Sequence, residues 1–328
     1  MALPAPENVA SLLDRRLLIV SGKGGTGKTT VTAALARLGV RQGKRVLTCE
    51  VDAKGSLAAS LGASGPVGYE PAELQPGLFA MEMDTEASLR EYLRVFLRVP
   101  FMSFPVAGLG PLARTFDFVA DAAPGVKEIL TIGKLAWAVK ERNYDLVVVD
   151  APASGHVGSL LDAPGSLARL MPLGPVRTQT GWVRALLADP ATTGLVVVTI
   201  PQEMATVEAI ELVASVRAQA AVDIAAVVVN RVLPELFTHA EDETRTRLSS
   251  PTARAGLRRS VGPGVQDVLA AGDLAAELRR SGVAHLAVLR QAVAGTALLY
   301  LPEVWQAELL EDPVLLTEAL ATNLSEEL

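Results

Sequence analysis

The residues with the clearest chemical potential form one glycine-rich run, Gly22-Lys23-Gly24-Gly25-Thr26-Gly27-Lys28-Thr29. This run matches the pattern G-x-x-x-x-G-K-[ST], in which backbone N–H groups and the positive end of a helix surround phosphate oxygens. Lys28 would bring positive charge to the β- and γ-phosphates, and the hydroxyl of Thr29 would ligate Mg²⁺. A glycine-rich turn that binds nothing is the alternative. The sequence context favours a phosphate site made by residues 22–29 together with Thr30.

Strands and helices alternate around this run, as a phosphate-binding loop requires. The loop follows the apolar run 17–20 and precedes a helix predicted over residues 29–38. Five further apolar, β-branched runs predict buried strands, at 45–51, 146–149, 195–200, 226–229 and 297–300. Runs of this kind, separated by helical stretches, predict an α/β fold: a mostly parallel sheet covered by helices on both faces.

The alternation is interrupted in two places. Residues 85–140 are helical in composition but contain several prolines and glycines, and residues 241–292 are helical and rich in Ala, Leu and Arg. We therefore expect a single domain over residues 1–328, with a helical subdomain inserted at 85–140 and a helical addition at 241–292. Within the subdomain, residues 95–106 hold three of the seven phenylalanines. An apolar groove for a partner would explain this concentration, and the subdomain's own core or a subunit contact explains it at least as well.

Composition narrows the class of protein. The chain has 328 residues, of which 50% are hydrophobic and 20% charged, enough apolar residues for a large core. The net charge of −6 offers no overall attraction to nucleic acid. Cys49 is the single cysteine and the three histidines are scattered, so the sequence predicts no disulfide, zinc site or metalloid site. No secretory leader or membrane span is predicted, and a cytoplasmic location is expected.

Lys23 occupies a position that an ordinary phosphate loop leaves free. A solvated lysine and a lysine that reaches a partner's nucleotide are both compatible with this position alone. The pattern Lys-Gly-Gly-x-Gly-Lys-Thr-Thr is nevertheless the deviant Walker A signature. On it the chain is identified as a bacterial member of the arsenite-pump and tail-anchored-protein-targeting ATPases. The resemblance implies a P-loop NTPase fold and a nucleotide-sandwich dimer in which Lys23 contacts the ATP of the opposite subunit.

Two further segments resemble the switches of that family. Residues 49–57 stand where the first switch carries Thr-Asp-Pro-Ala-His-Asn-Leu, and Asp52 matches the aspartate that orients the attacking water near Mg²⁺. The family's proline and the residue after it are replaced here by Ala53 and Lys54. Asp150 ends a buried strand, where a Walker B aspartate holds Mg²⁺. The residues after it resemble the second switch, Asp-Thr-Ala-Pro-Thr-Gly-His, with Ala-Pro directly after the aspartate and with His156 as a sensor of nucleotide state.

The adenine base has its own candidate contacts. Asn230 ends a strand at the edge where open α/β sheets bind ligands, and an amide can both donate to and accept from adenine. The resemblance implies that this asparagine hydrogen-bonds the adenine and that the loop containing Pro302 and Glu303 packs on the base. The predicted catalytic residues are Lys23, Lys28 and Asp52, and the predicted metal ligands are Thr29, Asp52 and Asp150, with ATP and Mg²⁺ as cofactors.

The resemblance implies a dimer that couples ATP hydrolysis to opening and closing on a protein or membrane-associated partner. That dimer is a homodimer or a heterodimer with a paralogue, and a protein or membrane-protein client would bind the helical subdomain. Peripheral membrane association through a partner is compatible with this scheme. Two alternatives stay open: a weakly catalytic or non-catalytic subunit paired with an active paralogue, which the altered switches favour, and a partitioning or positioning ATPase.

Overall fold

The computed structural model describes residues 12–96, 125–170, 175–219 and 221–328. Within these ranges eight strands form one sheet in the order β3-β4-β2-β5-β1-β6-β7-β8. The strands are β1 (Leu17–Gly22), β2 (Val46–Glu50), β3 (Ala72–Gln75), β4 (Leu78–Glu82), β5 (Leu146–Asp150), β6 (Thr193–Thr199), β7 (Ile224–Val232) and β8 (Leu298–Pro302). All neighbouring pairs are parallel except β3 and β4.

Twelve helices are described in the same ranges. They are α1 (Lys28–Arg41), α2 (Ser56–Ser60), α3 (Thr85–Phe96), α4 (Val126–Lys140), α5 (Ser154–Leu170), α6 (Pro175–Ala188), α7 (Glu203–Gln219), α8 (His239–Leu248), α9 (Pro251–Val261), α10 (Val265–Ala292), α11 (Ala307–Glu311) and α12 (Pro313–Glu327). None of these helices combines the length and the apolar character of a membrane span.

The sheet is buried on both faces, which confirms the predicted α/β fold. One core cluster packs side chains of α4, α5, α6, α7 and α10 against the sheet. The other packs α1, α2 and α12 against the opposite face. Because the central strands are covered on both sides, they read as continuous apolar runs: every residue of β1 and β6 is buried.

All six predicted strands are present, but two strands were not predicted. β3 and β4 form a hairpin around Gly77, whose φ of +82° suits glycine. β3 is short and exposed at Ala72 and Glu73, so it lacks the apolar run of a buried strand. β4 follows β3 directly and pairs in parallel with β2. β4 therefore lies inside the sheet although no helix separates it from β3.

The strand order places the phosphate loop at the centre of the sheet. Sheet order runs from β1 through β5 and β2 in one direction and through β6 and β7 in the other. Ligands in open α/β sheets bind where the strand order reverses, outside the carboxyl ends of the strands. The loop after β1, and the segments after β2, β5 and β7, all leave this same edge.

Candidate nucleotide site

Two glycines of the phosphate loop, Gly22 and Gly27, stand where a side chain would clash. A Cβ on Gly22 would lie 2.0 Å from the carbonyl oxygen of Val198 in β6. Gly27 precedes α1 with a φ of +92°, and a Cβ there would lie 2.4 Å from Nδ2 of Asn230. The sequence therefore needs glycine at both positions to bring the loop against β6 and β7.

The middle of the loop is open. Gly24 and Gly25 are exposed, and a Cβ added at either would meet no atom within 4 Å. Thr26, by contrast, is fully buried and donates from its hydroxyl to the carbonyl of Lys23 at 2.9 Å. Thr26 thus packs firmly beneath the exposed backbone of Gly24 and Gly25. This arrangement is typical of a loop that surrounds a phosphate group.

The environment of the Lys28 ammonium favours binding of an anion. Its ammonium donates to the carbonyl oxygen of Lys23 at 3.3 Å, a long contact to a neutral group. Burial lowers the pKa of Lys28 from its ordinary value, an effect that the neighbouring Asp150 partly offsets. A partly desolvated ammonium gains most from a negatively charged ligand, which phosphate would supply.

Thr29 and Asp150 meet at the start of α1. The Thr29 hydroxyl donates to Oδ2 of Asp150 at 2.5 Å. Oδ1 of Asp150 is buried and finds no hydrogen-bond partner among the described residues. Burial raises the pKa of Asp150 to about 6, and the charges of Glu50 and Asp52 add to the rise. An unpartnered, destabilised carboxylate oxygen beside a threonine hydroxyl fits a Mg²⁺ ligand set.

Asp52 lies beside this pair in the loop after β2. Its side chain is exposed, and its Oδ2 lies 3.9 Å from the ammonium of Lys54. The charge of Asp52 acts on both Asp150 and Lys28, so all three share one electrostatic environment. The structure thus brings together the predicted residues of the phosphate loop, the first switch and the end of β5.

Lys23 is held within its own chain. Its ammonium forms an ion pair with Glu208 of α7, and the second oxygen of Glu208 accepts a hydrogen bond from the hydroxyl of Ser154 at 3.0 Å. Ser154 begins α5 within the second-switch segment. Glu208 therefore joins the signature lysine to that switch, and the ion pair with Lys23 lowers the pKa of the carboxyl.

The predicted base-reading residues lie on the same edge. Asn230 is buried, and its Nδ2 donates to the carbonyl of Thr26 at 2.9 Å while its Oδ1 accepts from the backbone N–H of Arg231 at 2.9 Å. Glu303 lies nearby, since its N–H donates to the carbonyl of Val232 at 2.9 Å. Pro302 pairs with Val232 in the sheet. The adenine contacts stay a prediction, and the amide also ties the loop to β7.

Other predicted positions are more peripheral. His156 is exposed in the first turn of α5, where its N–H donates to the carbonyl of Ala153 at 2.8 Å. Cys49 is buried in β2, as predicted. The apolar segment proposed as a client groove, residues 95–106, lies outside the described residues except for its first two positions, whose side chains are not described.

Sequence reasoning missed Glu208 and Glu50. Glu208 is 185 residues from Lys23 and lies within helix α7, so no local pattern marks it. Glu50 had a usable signal: like Asp150, it is a carboxylate that ends a buried strand. The structure places the two in register, on neighbouring strands.

The fold and the loop together define a P-loop nucleotide-binding protein of the α/β class. Residues 15–179 match the family model described as anion-transporting ATPase. The chain belongs to this family, and the resemblance to the arsenite-pump and targeting ATPases is confirmed.

Proteins similar to this chain come from bacteria and from eukaryotes. ATPase BagA of Mycobacterium tuberculosis is 32% identical over 259 residues, which cover 74% of this chain and 73% of that protein. ATPase get3 of Schizosaccharomyces japonicus is 32% identical over 174 residues, or 51% of each chain. ATPase ASNA1 homolog 1 of Paramecium tetraurelia is 26% identical over 168 residues, covering 51% of this chain and 49% of that protein.

Proposed function

We propose that this chain is a Mg²⁺-dependent ATPase that hydrolyses ATP to ADP and phosphate as a nucleotide-sandwich dimer. The observation that carries the proposal is the buried, unpartnered Oδ1 of Asp150 beside the Thr29 hydroxyl and the open glycine rim. A carboxylate oxygen with no partner is costly unless a cation binds it. Mg²⁺ held there by Thr29 and Asp150 would neutralise phosphate charge.

The chain's own groups would do the rest of the chemistry. Phosphoryl transfer to water needs positioning and charge stabilisation rather than a covalent intermediate. The loop amides and Lys28 would hold the β- and γ-phosphates. Asp52, exposed and close enough to act on Lys28 and Asp150, would orient the attacking water.

The ion pair of Lys23 with Glu208 supports a dimer-gated cycle. In a single chain Lys23 is engaged in cis, so it reaches a partner's nucleotide only after this pair opens. Ser154 of the second switch binds the same carboxylate, so a rearrangement of that switch and the release of Lys23 would be linked. ATP hydrolysis would then time a conformational cycle rather than run freely.

The cycle would act on a protein or membrane-associated partner. The helical subdomain at 85–140 would carry the client site, and the helices at 241–292 would be a peripheral addition. α3 and α4, which flank the undescribed part of the subdomain, are joined by an ion pair between Lys134 and Glu91 at 2.7 Å. This contact would transmit movement between them. A cytoplasmic chain, with membrane contact only through its partner, fits this scheme.

A weakly catalytic subunit that pairs with an active paralogue is the second candidate. One observation favours it: in the first switch the ammonium of Lys54 lies 3.9 Å from the carboxylate of Asp52. Turnover by the pure chain distinguishes the two, since a subunit of this kind binds ATP but shows little or no turnover of its own.

Replacing Asp150 with asparagine is expected to raise the Mg²⁺ concentration for half-maximal hydrolysis by about tenfold or more, because a charged contact contributes about 1.5–3 kcal/mol. The measurement is a Mg²⁺ titration of turnover at fixed ATP. Asp145→Asn is the matched control, since Asp145 precedes β5 at its opposite end, where it accepts a hydrogen bond from the N–H of Arg45. An equal Mg²⁺ requirement in wild type and Asp150→Asn contradicts the metal assignment.

ATP is expected to bind about five- to tenfold more tightly than GTP, because one matched hydrogen bond contributes about 1–1.5 kcal/mol. In Asn230→Ala both nucleotides should bind less tightly, since the amide also holds Thr26. The ratio of the two affinities isolates base recognition from that structural loss. Equal ATP and GTP affinities in the wild type would remove the basis for adenine specificity.

A further inference from the structure

Glu50 is a buried carboxylate at the end of β2, and the hydrogen bonds that its side chain accepts within the described part of the chain come from the first switch. It is 3% exposed. Its Oε1 accepts from the backbone N–H of Lys54 at 3.2 Å and from the hydroxyl of Ser56 at 2.8 Å. Its Oε2 accepts from the backbone N–H of Leu57 at 3.1 Å. One side chain thus receives three donors from the residues that follow Asp52.

The loop that Glu50 holds does not have the conformation its own residues prefer. Ala53 adopts a φ of +44°, in the left-handed region where a Cβ is disfavoured. Such a backbone persists only when surrounding contacts maintain it. Val51 is fixed from the other side, because its N–H donates to the carbonyl of Asp150 at 3.1 Å. Asp52 therefore sits between an anchor on β5 and the three contacts to Glu50.

The position of Glu50 is electrostatically unfavourable, which argues against a chance placement. The sheet register sets Glu50 level with Glu82 on β4 and with Asp150 on β5, so it is flanked by two carboxylates. Like charges this close disfavour one another. The three hydrogen-bond donors offset this repulsion. All three can be satisfied only by a side chain with two acceptor oxygens. A glutamine would turn an N–H₂ group toward one of these donors.

We propose that Glu50 is a positioning residue that holds the first-switch loop so that Asp52 faces the phosphate site. The proposal rests on the proposed function, because Asp52 orients water only in a chain that hydrolyses ATP. These three hydrogen bonds join Glu50 to the switch loop and not to the phosphate loop. Its loss should therefore lower kcat and leave nucleotide affinity almost unchanged.

The test is Glu50→Gln, with kcat and the dissociation constant for ATP measured separately. A displacement of about 1 Å in a catalytic group costs on the order of 10²-fold in rate, so we expect kcat to fall by about that factor. The ATP dissociation constant should change less than about threefold. Glu82→Gln is the matched control: it removes a carboxylate one strand away that makes none of the three loop contacts. Its kcat should stay near that of the wild type.

Hydrogen exchange gives a readout that does not depend on turnover. In Glu50→Gln the amides of Lys54 and Leu57, whose N–H groups donate to Glu50, should exchange at least tenfold faster than in the wild type. Exchange at residues 22–29 should stay at its wild-type rate. Ser56→Ala, which removes one contact of the three, should show a smaller loss of kcat and serves if Glu50→Gln does not fold.

Unchanged exchange in Glu50→Gln overturns the positioning role, and so does faster exchange with an unchanged kcat. An ATP affinity that falls as much as kcat would make Glu50 a structural or binding residue instead. If the wild type itself shows no turnover, the proposed function fails, and faster exchange in Glu50→Gln would still establish that Glu50 holds the loop.

Discussion

Lys23→Ala is expected to lower ATP turnover by about 10³-fold or more while ATP binding to a single chain stays nearly unchanged. A cationic side chain supplied in trans contributes about 10³–10⁵ in rate in GTPases, and a lysine across a sandwich interface would stabilise the same charge. The ammonium of Lys23 pairs with Glu208 on α7, outside the phosphate loop. Because a two-fold dimer uses the same surface twice, both sites would be lost together.

The measurement is turnover per chain as a function of protein concentration, with ATP binding followed separately. Wild-type turnover should rise with concentration as dimers form. Lys140→Ala is a suitable control, since Lys140 ends α4 at the opposite edge of the sheet, near Trp137 and Trp182. The sandwich mechanism fails if Lys23→Ala keeps the wild-type rate and that rate is independent of concentration. In a heterodimer with a paralogue, only the partner's site would be disabled.

Lys28→Ala is expected to weaken ATP binding about ten- to hundredfold and to abolish hydrolysis. The physical reason is the loss of a charge-assisted contact to the β- and γ-phosphates, which contributes about 1.5–3 kcal/mol. The variant should fold, because the hydrogen bond that the Lys28 ammonium makes within the described ranges is a long one, 3.3 Å to a backbone carbonyl. Calorimetric titration with ATP measures the loss.

AMP is the internal control for Lys28→Ala, since it lacks the two phosphates that Lys28 would contact. Its affinity should be the same in the variant and in the wild type. An equal loss for AMP and ATP would indicate damage to the fold, and an unchanged ATP affinity would contradict the phosphate assignment. Lys28→Arg, which keeps the charge in a larger head group, should recover part of the binding.

The sequence alone was sufficient for the features that depend on local pattern. Buried parallel strands need continuous apolar runs, so β1, β5, β6 and β7 were predicted from 17–20, 146–149, 195–200 and 226–229. The phosphate loop was predicted in full because its chemistry demands glycines at fixed spacing beside Lys28 and Thr29. Asp150 was predicted because a strand end places it at the same edge as that loop.

Only the tertiary structure decided which side chains meet across long separations. No local signal marks Glu208, since a glutamate on a helix surface is ordinary until the chain folds it against Lys23. Asn230 was predicted to read a base, yet its hydrogen bond to the carbonyl of Thr26 follows only from the packing of β7 beside the loop. The hairpin of β3 and β4 was missed because its first strand is exposed and polar. Hydrophobic periodicity reports burial along the chain, whereas contacts between distant polar groups depend on strand order, which no periodicity encodes.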